Sequence, residues 1–154
     1  MYQFIICEDD ATQRAHLQAL IKARYVDCPV FCYEDVEKLL RELPHIPAPR
    51  IIFMDIVLKD SSGIDAASKI ASADTAIIFI TAFLDKVRDI FETSHTYFIH
   101  KPDLELRLEP AVEKAMKQLN AHRSRIVLQM RDRRVIMATA AIMCIERTQR
   151  TSEI

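Results

Sequence analysis

Five polar side chains stand at or just after the ends of short apolar segments, and together they could perform one kind of chemistry. They are Glu8, Asp9, Asp55, Thr81 and Lys101. Three carboxylates that share a pocket repel one another unless a cation lies among them, and all-oxygen ligands favour Mg²⁺. A hydroxyl and an ammonium group can hold phosphoryl oxygens. The set therefore favours transfer of a phosphoryl group to a carboxylate.

Alternating apolar and amphipathic segments are the elements that must position these side chains. The predicted strands cover about 4–7, 30–33, 51–54, 76–80 and 97–99, and the predicted helices cover about 11–24, 36–43, 64–70, 87–91 and 104–119. This alternation predicts an α/β fold, a doubly wound five-stranded parallel sheet with helices on both faces. Because ligands of such sheets bind at the carboxyl ends of the strands, the five polar side chains are expected to converge.

Composition excludes several other classes of protein. The chain has 154 residues, enough for one domain and a small appendage, and its only glycine is Gly63. The sequence therefore cannot contain a glycine-rich nucleotide-binding loop. No apolar stretch is long enough for a membrane helix, and the first residues do not resemble a signal peptide, so a cytoplasmic protein is expected. The four cysteines lack metal-binding spacing and are expected to be reduced thiols in or near the core.

Charge and pattern divide the chain into two parts. Residues 1–119 hold 14 Lys and Arg against 19 Asp and Glu, whereas residues 120–154 hold seven Arg against three acids. The C-terminal part also changes its pattern, to two predicted strands at 126–130 and 135–137 and a further apolar run at 140–145. We therefore expect a first domain at 1–120 and a short β segment at 121–154, which is too small to bury a core of its own.

Residues 1–120 resemble the receiver domain of two-component response regulators, whose fold is flavodoxin-like. The residues that carry the resemblance are Ile6 to Asp10, Phe53 to Asp55, Gly63, Ile80 to Ala82, and Lys101 with Pro102. The resemblance implies that Asp55 is the phosphoacceptor and takes the phosphoryl group from a phosphohistidine of a sensor histidine kinase. It implies that the chain accepts a phosphoryl group, has at most slow autophosphatase activity and is otherwise not an enzyme.

The resemblance also implies a metal site for Mg²⁺. Asp9 and Asp55 would bind the ion directly, Glu8 through water, and Val57 through its backbone carbonyl. The acidic pair of receivers directly follows the first strand, so Asp10 is expected just outside the site, as a neighbouring or helix N-terminal acid.

Phosphoryl binding and switching are implied in the same way. Thr81, Ala82 and Lys101 would bind the phosphoryl group, and Thr81 and Phe98 would act as the switch. The bond before Pro102 is expected to be cis.

Two apolar neighbours of the site and one departure from the receiver pattern add further expectations. Val57 and Phe83 would shield the phosphorylated side chain from water, so we expect slow autodephosphorylation. Asp103 follows the proline where receivers commonly have an apolar residue, which puts dimerisation by that surface in doubt. A homodimer formed on phosphorylation is still a candidate.

The C-terminal part resembles the opening strands of a LytTR-type DNA-binding domain, at Val135 to Ile136 and Ile142 to Glu146. This resemblance implies that phosphorylation controls transcription through DNA binding by a full-length effector domain, largely absent here. The arginines between 123 and 134 could contact phosphates or could lie on a solvated hairpin.

Two other functions stay open. A phosphohydrolase of the haloacid dehalogenase type also uses Asp, Thr, Lys and Mg²⁺, but it requires a second Asp two positions after the nucleophile, where this sequence has Val57. A receiver-like module that binds partners without phosphorylation is the second. The intact acidic pair and Lys101 argue against it.

Overall fold

The elements follow one another in the predicted alternation. A computed structural model describes residues 1–59, 61–84, 87–90, 93–123, 125–129 and 134–138. In chain order the elements are β1 (Gln3–Cys7), α1 (Ala11–Arg24), β2 (Val30–Tyr33), α2 (Val36–Glu42), a 3₁₀ helix (Leu43–His45), β3 (Arg50–Asp55), β4 (Val57–Leu58), β5 (Ser61–Ser62), α3 (Gly63–Ile70), β6 (Thr75–Thr81), α4 (Val87–Ile90), β7 (Tyr97–His100), a second 3₁₀ helix (Lys101–Asp103), α5 (Leu104–Arg123), β8 (Arg125–Gln129) and β9 (Arg134–Ala138). The chain divides into two compact units, 1–119 and 120–154.

The first unit is built on a parallel sheet of five strands in the order β2–β1–β3–β6–β7. The strand order reverses between β1 and β3, and this is the point at which doubly wound sheets bind their ligands. The predicted doubly wound sheet is confirmed. The acidic pair Glu8 and Asp9 follows β1, and Asp55 ends β3. Because these strands are neighbours, the topology alone brings the three acidic residues together.

Both faces of the sheet are covered, as the apolar strands predict. On β1, Phe4 and Ile6 belong to the core that α1 and α5 cover, whereas Ile5 and Cys7 belong to the core under α2, α3 and α4. This alternation follows from the two-residue period of a strand. Every residue of β1 is buried, which fixes the strand register and, through it, the position of the polar residues at its end.

Two features of the described elements were not predicted. A small antiparallel hairpin, β4 with β5, follows β3, and its strands of two residues are too short to leave a periodic signal. Helix α5 continues to Arg123, four residues past the predicted end. Its apolar stripe ends at Leu119, but the residues that follow include a basic one, which is favourable at a helix C-terminus.

The second unit contains the predicted hairpin. Strands β8 and β9 are antiparallel, and Val127 pairs with Ile136. The predicted apolar run at 140–145 and the arginines at 131 and 133 lie outside the described residues.

Three of the four cysteines can be assessed, and Cys144 lies outside the described part. Cys7 is buried, Cys28 and Cys32 are half-buried, and all three are free thiols. Burial, followed by the charge of nearby carboxylates, raises the pKa of Cys7 to about 12, which keeps it an unreactive thiol. Among the helices that the structure describes, none combines the length and the apolar character needed to cross a membrane.

Candidate functional site

The register of the parallel strands places the predicted residues at one edge of the sheet. Asp55, the last residue of β3, pairs with Ile80, and Thr81 at the end of β6 pairs with His100. Lys101 follows directly, as the first residue of a 3₁₀ helix. Since the strands are parallel, their carboxyl ends meet, and the convergence that the sequence predicts is observed.

The acidic segment after β1 continues the strand for one residue and then begins a helix. The Glu8 amide donates to the Tyr33 carbonyl at 3.1 Å, which aligns Glu8 with the sheet. Asp9 is half-buried, and the exposed Asp10 is the N-cap of α1, accepting from the Gln13 amide at 2.8 Å. This bond lowers the pKa of Asp10. The expectation that Asp10 lies outside the acidic pair as a helix N-terminal acid is confirmed.

Asp55 is a buried carboxylate with both oxygens engaged. Its Oδ1 accepts from the Val57 amide at 3.1 Å, and its Oδ2 accepts from Lys101 Nζ at 2.6 Å. The side chain is 6% exposed. A carboxylate held on two sides in this way has little rotational freedom, so its oxygens keep a fixed orientation.

Lys101 joins two of the carboxylates. Its Nζ lies 2.6 Å from Asp55 Oδ2 and 2.8 Å from Glu8 Oε2. Burial tends to lower the pKa of Lys101, but the hydrogen bonds to Asp55 and Glu8 outweigh it and the pKa is raised. Burial raises the pKa of Glu8 as well, because the lysine only partly offsets its desolvation. The ammonium group therefore stays charged between two carboxylates.

Three carboxylates at this edge are close enough to share one cation. Glu8, Asp9 and Asp55 each offer an oxygen, and the three atoms lie within 4.8 Å of one another. An all-oxygen set from carboxylates fits Mg²⁺ and does not fit zinc, which prefers nitrogen and sulfur. The hydrogen bond from its backbone amide to Asp55 places Val57 next to this set. The role of the Val57 carbonyl as a metal ligand stays a prediction.

Thr81 is the last residue of β6 and Ala82 follows it, next to the strand that ends at Asp55. Thr81 is fully buried, and its Oγ1 accepts from the Phe83 amide at 3.2 Å, which leaves the hydroxyl hydrogen to donate elsewhere. Ala82 is exposed and lines a cavity of about 370 Å³ together with Glu8 and Lys101. The cavity therefore opens beside Glu8 and Lys101, and phosphoryl binding by Thr81 and Ala82 stays a prediction.

Gly63 allows helix α3 to begin directly against the acceptor strand. A side-chain carbon at this position would collide with the backbone carbonyl of Asp55 and would lie 2.9 Å from Met54 Cγ. The Gly63 amide donates to the Ile56 carbonyl at 3.0 Å, which holds the helix start in this place. The single glycine of the chain is therefore required by close approach to Asp55.

Phe98 occupies the strand position next to Phe79 on β6. It is half-buried and packs on the core under α2, α3 and α4. Its predicted role in a switch stays a prediction.

The prediction of a cis bond before Pro102 is wrong. In the described chain, Ala48–Pro49 is a cis peptide, and Lys101–Pro102 is trans. Pro102 lies inside the 3₁₀ helix that runs into α5, and the Leu104 amide bonds to the Lys101 carbonyl. A trans proline suits the first turn of a helix, where no N–H is needed from it.

Sequence reasoning missed Arg14. From helix α1 its Nη1 donates to the backbone carbonyl of Glu8 at 2.6 Å and to that of Asp9 at 3.2 Å. A lone arginine on a helix carries no motif. The only available signal was its position one turn into the helix that follows the acidic pair.

Comparison with known proteins agrees with this geometry. Residues 4–113 match the family model described as response regulator receiver domain. The chain is 34% identical over 112 residues to the sensory transduction protein LytR of Staphylococcus epidermidis, covering 71% of this chain and 44% of that protein. It is 31% identical over 127 residues to LytT of Oceanobacillus iheyensis, covering 79% and 50%. The chain spans about half the length of the curated relatives it matches.

Solved structures share the fold. The response regulatory domain of protein mrkE from Klebsiella pneumoniae superposes with a TM-score of 0.65 at 25% identity, covering 77% of this chain and 98% of that one. A CheY-like receiver domain from Methanospirillum hungatei gives 0.66 at 17% identity, covering 78% and 98%.

The raised pKa of Glu8 gives a pH dependence that can be measured. Without Mg²⁺, folded Glu8 binds its proton more tightly than the unfolded chain does, so its contribution lowers the free energy of unfolding as pH rises through its raised pKa. The variant Glu8→Gln lacks this contribution. In urea titrations with a chelator present, we expect the variant to gain stability relative to the wild type as pH rises towards neutrality. A difference that is constant, or that moves the other way, would contradict the burial argument.

Proposed function

This chain belongs to the response regulator receiver domain family, and from that premise we propose that Asp55 accepts a phosphoryl group from a phosphohistidine of a sensor histidine kinase. The observation that carries the proposal is the state of the Asp55 carboxylate. It is buried, it is oriented by the Val57 amide and Lys101, and it lies beside two further carboxylates. A nucleophile held in one direction near a charge-balancing group is what phosphoryl transfer requires.

The carboxylates would hold Mg²⁺ in this proposal. Asp9 and Asp55 would be ligands, Glu8 would act directly or through water, and Val57 would contribute its carbonyl. When bound, the ion supplies positive charge that offsets the charge of the carboxylates and of the incoming phosphoryl oxygens. The donor set supports Mg²⁺ because its three oxygens lie within 4.8 Å of one another.

The chain's own residues account for the rest of the transfer. An Asp55 oxygen attacks phosphorus, the bond from phosphorus to the donor imidazole nitrogen breaks, and its electron pair stays on that nitrogen. Lys101 lies at 2.6 Å from Asp55 Oδ2 and would follow the charge onto the phosphoryl oxygens. The Thr81 hydroxyl would donate to one of these oxygens, and the small, exposed Ala82 leaves them room.

The proposed output begins with the movement of Thr81 towards the phosphoryl group. Phe98 is half-buried on the neighbouring strand, and its ring would follow. The full-length protein would act in the cytoplasm and bind DNA through a LytTR-type domain beyond residue 120. A homodimer on phosphorylation is part of the same proposal. The support comes from relatives named LytR and LytT, of which this chain covers about half.

Incubation with acetyl phosphate and Mg²⁺ tests the phosphoacceptor. We expect intact-mass spectrometry to show one added phosphoryl group on the wild type, none on Asp55→Asn, and none when a chelator removes Mg²⁺. Asp27→Asn is the matched control, because Asp27 is exposed in the loop before β2, at the opposite edge of the sheet.

Three other outcomes of this incubation would contradict the proposal. Continuous release of phosphate without a stable adduct would favour the haloacid dehalogenase alternative. No adduct on the wild type would favour a module that binds partners without phosphorylation. An adduct that persists in Asp55→Asn would place the acceptor elsewhere.

The lifetime of the adduct tests the expectation of slow autophosphatase activity. Val57 and Phe83 are 41% and 53% exposed and lie next in sequence to the acceptor segment and the Thr81–Ala82 segment, where they can exclude an attacking water. After the donor is removed by gel filtration, we expect the added mass to decay slowly in the wild type. We expect faster decay in Phe83→Ser, because a small polar side chain admits water. Equal decay in both proteins would show that Phe83 does not shield the site.

A further inference from the structure

Arg14 is the one described side chain outside the predicted site that is bonded to the main chain of both members of the acidic pair. It is half-buried on helix α1, and a single nitrogen, Nη1, donates to the carbonyl oxygens of Glu8 at 2.6 Å and Asp9 at 3.2 Å. Bonds from a guanidinium group to a carbonyl are charge-assisted and therefore stronger than bonds between neutral groups. The two peptide planes that carry these carbonyls are thus fixed from the helix.

One of these planes continues to the Glu8 carboxylate. The carbonyl of Asp9 and the amide of Asp10 belong to the same trans peptide, so they point in opposite directions. When Arg14 holds the carbonyl, the amide must face the other way, and there it donates to Glu8 Oε1 at 3.3 Å. The other carboxylate oxygen of Glu8 lies 2.8 Å from Lys101. The chain of contacts runs from Arg14 through one peptide plane to Glu8 and Lys101.

We propose that Arg14 is a positioning residue, which orients the Glu8 and Asp9 carboxylates for Mg²⁺ by fixing the two peptide planes that carry the carbonyls of these residues. The inference rests on the proposed function, since it concerns the cation of the same site. Arg14 touches neither a reacting atom nor a carboxylate oxygen in the contacts described. Its effect passes through the backbone.

A second effect of Arg14 would have the opposite sign. Its positive charge near three carboxylates repels a cation, so an arginine that acted only through charge would weaken Mg²⁺ binding, and its removal would strengthen it. Positioning predicts that removal weakens binding. The direction of the change in affinity therefore separates the two effects.

Mg²⁺ titration of the whole chain by isothermal calorimetry provides the test. Losing a group that orients metal ligands typically costs about tenfold or more in metal affinity, so we expect Arg14→Met to raise the Mg²⁺ dissociation constant by about that factor. Arg14→Lys retains the positive charge but is shorter and lacks the planar guanidinium group. We expect its Mg²⁺ dissociation constant to lie between those of the wild type and Arg14→Met. Arg24→Met is the matched control. Arg24 lies on the same helix and, among the residues that the structure describes, its side chain bonds only to the Leu20 carbonyl, at 3.4 Å, so its loss should leave the constant within about twofold of the wild type.

A readout without metal separates this inference from the proposed function. In the metal-free protein, the Asp10 amide proton resonance should move towards its unfolded position in Arg14→Met and stay in place in Arg24→Met. If the wild type binds no Mg²⁺, the proposed function fails while the amide result still decides the role of Arg14.

Two results would overturn the positioning role. One is wild-type or tighter Mg²⁺ binding by Arg14→Met, and the other is an unmoved Asp10 resonance. If Arg14→Met does not fold, Arg14→Lys decides by the same two measurements. We also expect phosphorylation by acetyl phosphate to require more Mg²⁺ in Arg14→Met while its rate at saturating Mg²⁺ is little changed. A lower rate at saturation with an unchanged Mg²⁺ requirement would contradict positioning.

Discussion

The ammonium group of Lys101, held between Asp55 and Glu8, is the interaction on which the rest of the site depends. Two buried carboxylates this close would otherwise repel each other, and burial alone would drive one of them to bind a proton. Lys101 follows the end of β7, and its Nζ lies within 2.8 Å of an oxygen of each carboxylate. It balances the charge of both carboxylates and holds them in place, so a cation at this site would compete with it for the same oxygens.

The sheet makes this interaction possible. Parallel strands in register bring Asp55, Thr81 and Lys101 to one edge, and the reversal of strand order next to β1 adds the acidic pair. Close packing then fixes the details, since helix α3 can begin against the Asp55 backbone only because residue 63 is glycine. The chemistry of the site is therefore a consequence of strand order, register and one small residue.

Much of this was predictable, because strand ends in a parallel sheet converge whatever the side chains are. Asp55 and Lys101 follow short apolar runs, and the change from apolar to polar residues predicts where each strand ends. The role of Arg14 was not predictable, since a bond from a side chain to a main-chain carbonyl leaves no spacing pattern. The bond before Pro102 was predicted wrongly from a resemblance, and the helical turn that begins at Lys101 accommodates a trans proline.

The central claim is that Lys101 balances the buried carboxylates and that a cation would compete with it for them. The affinity of Lys101→Met for Mg²⁺, measured by calorimetry in mildly alkaline buffer, tests this most directly. Without the ammonium group, the carboxylates of Glu8, Asp9 and Asp55 have no bonded counter-charge among the contacts described, so the variant should bind Mg²⁺ more tightly than the wild type and depend on it more for stability. Binding that is unchanged or weaker would contradict the account.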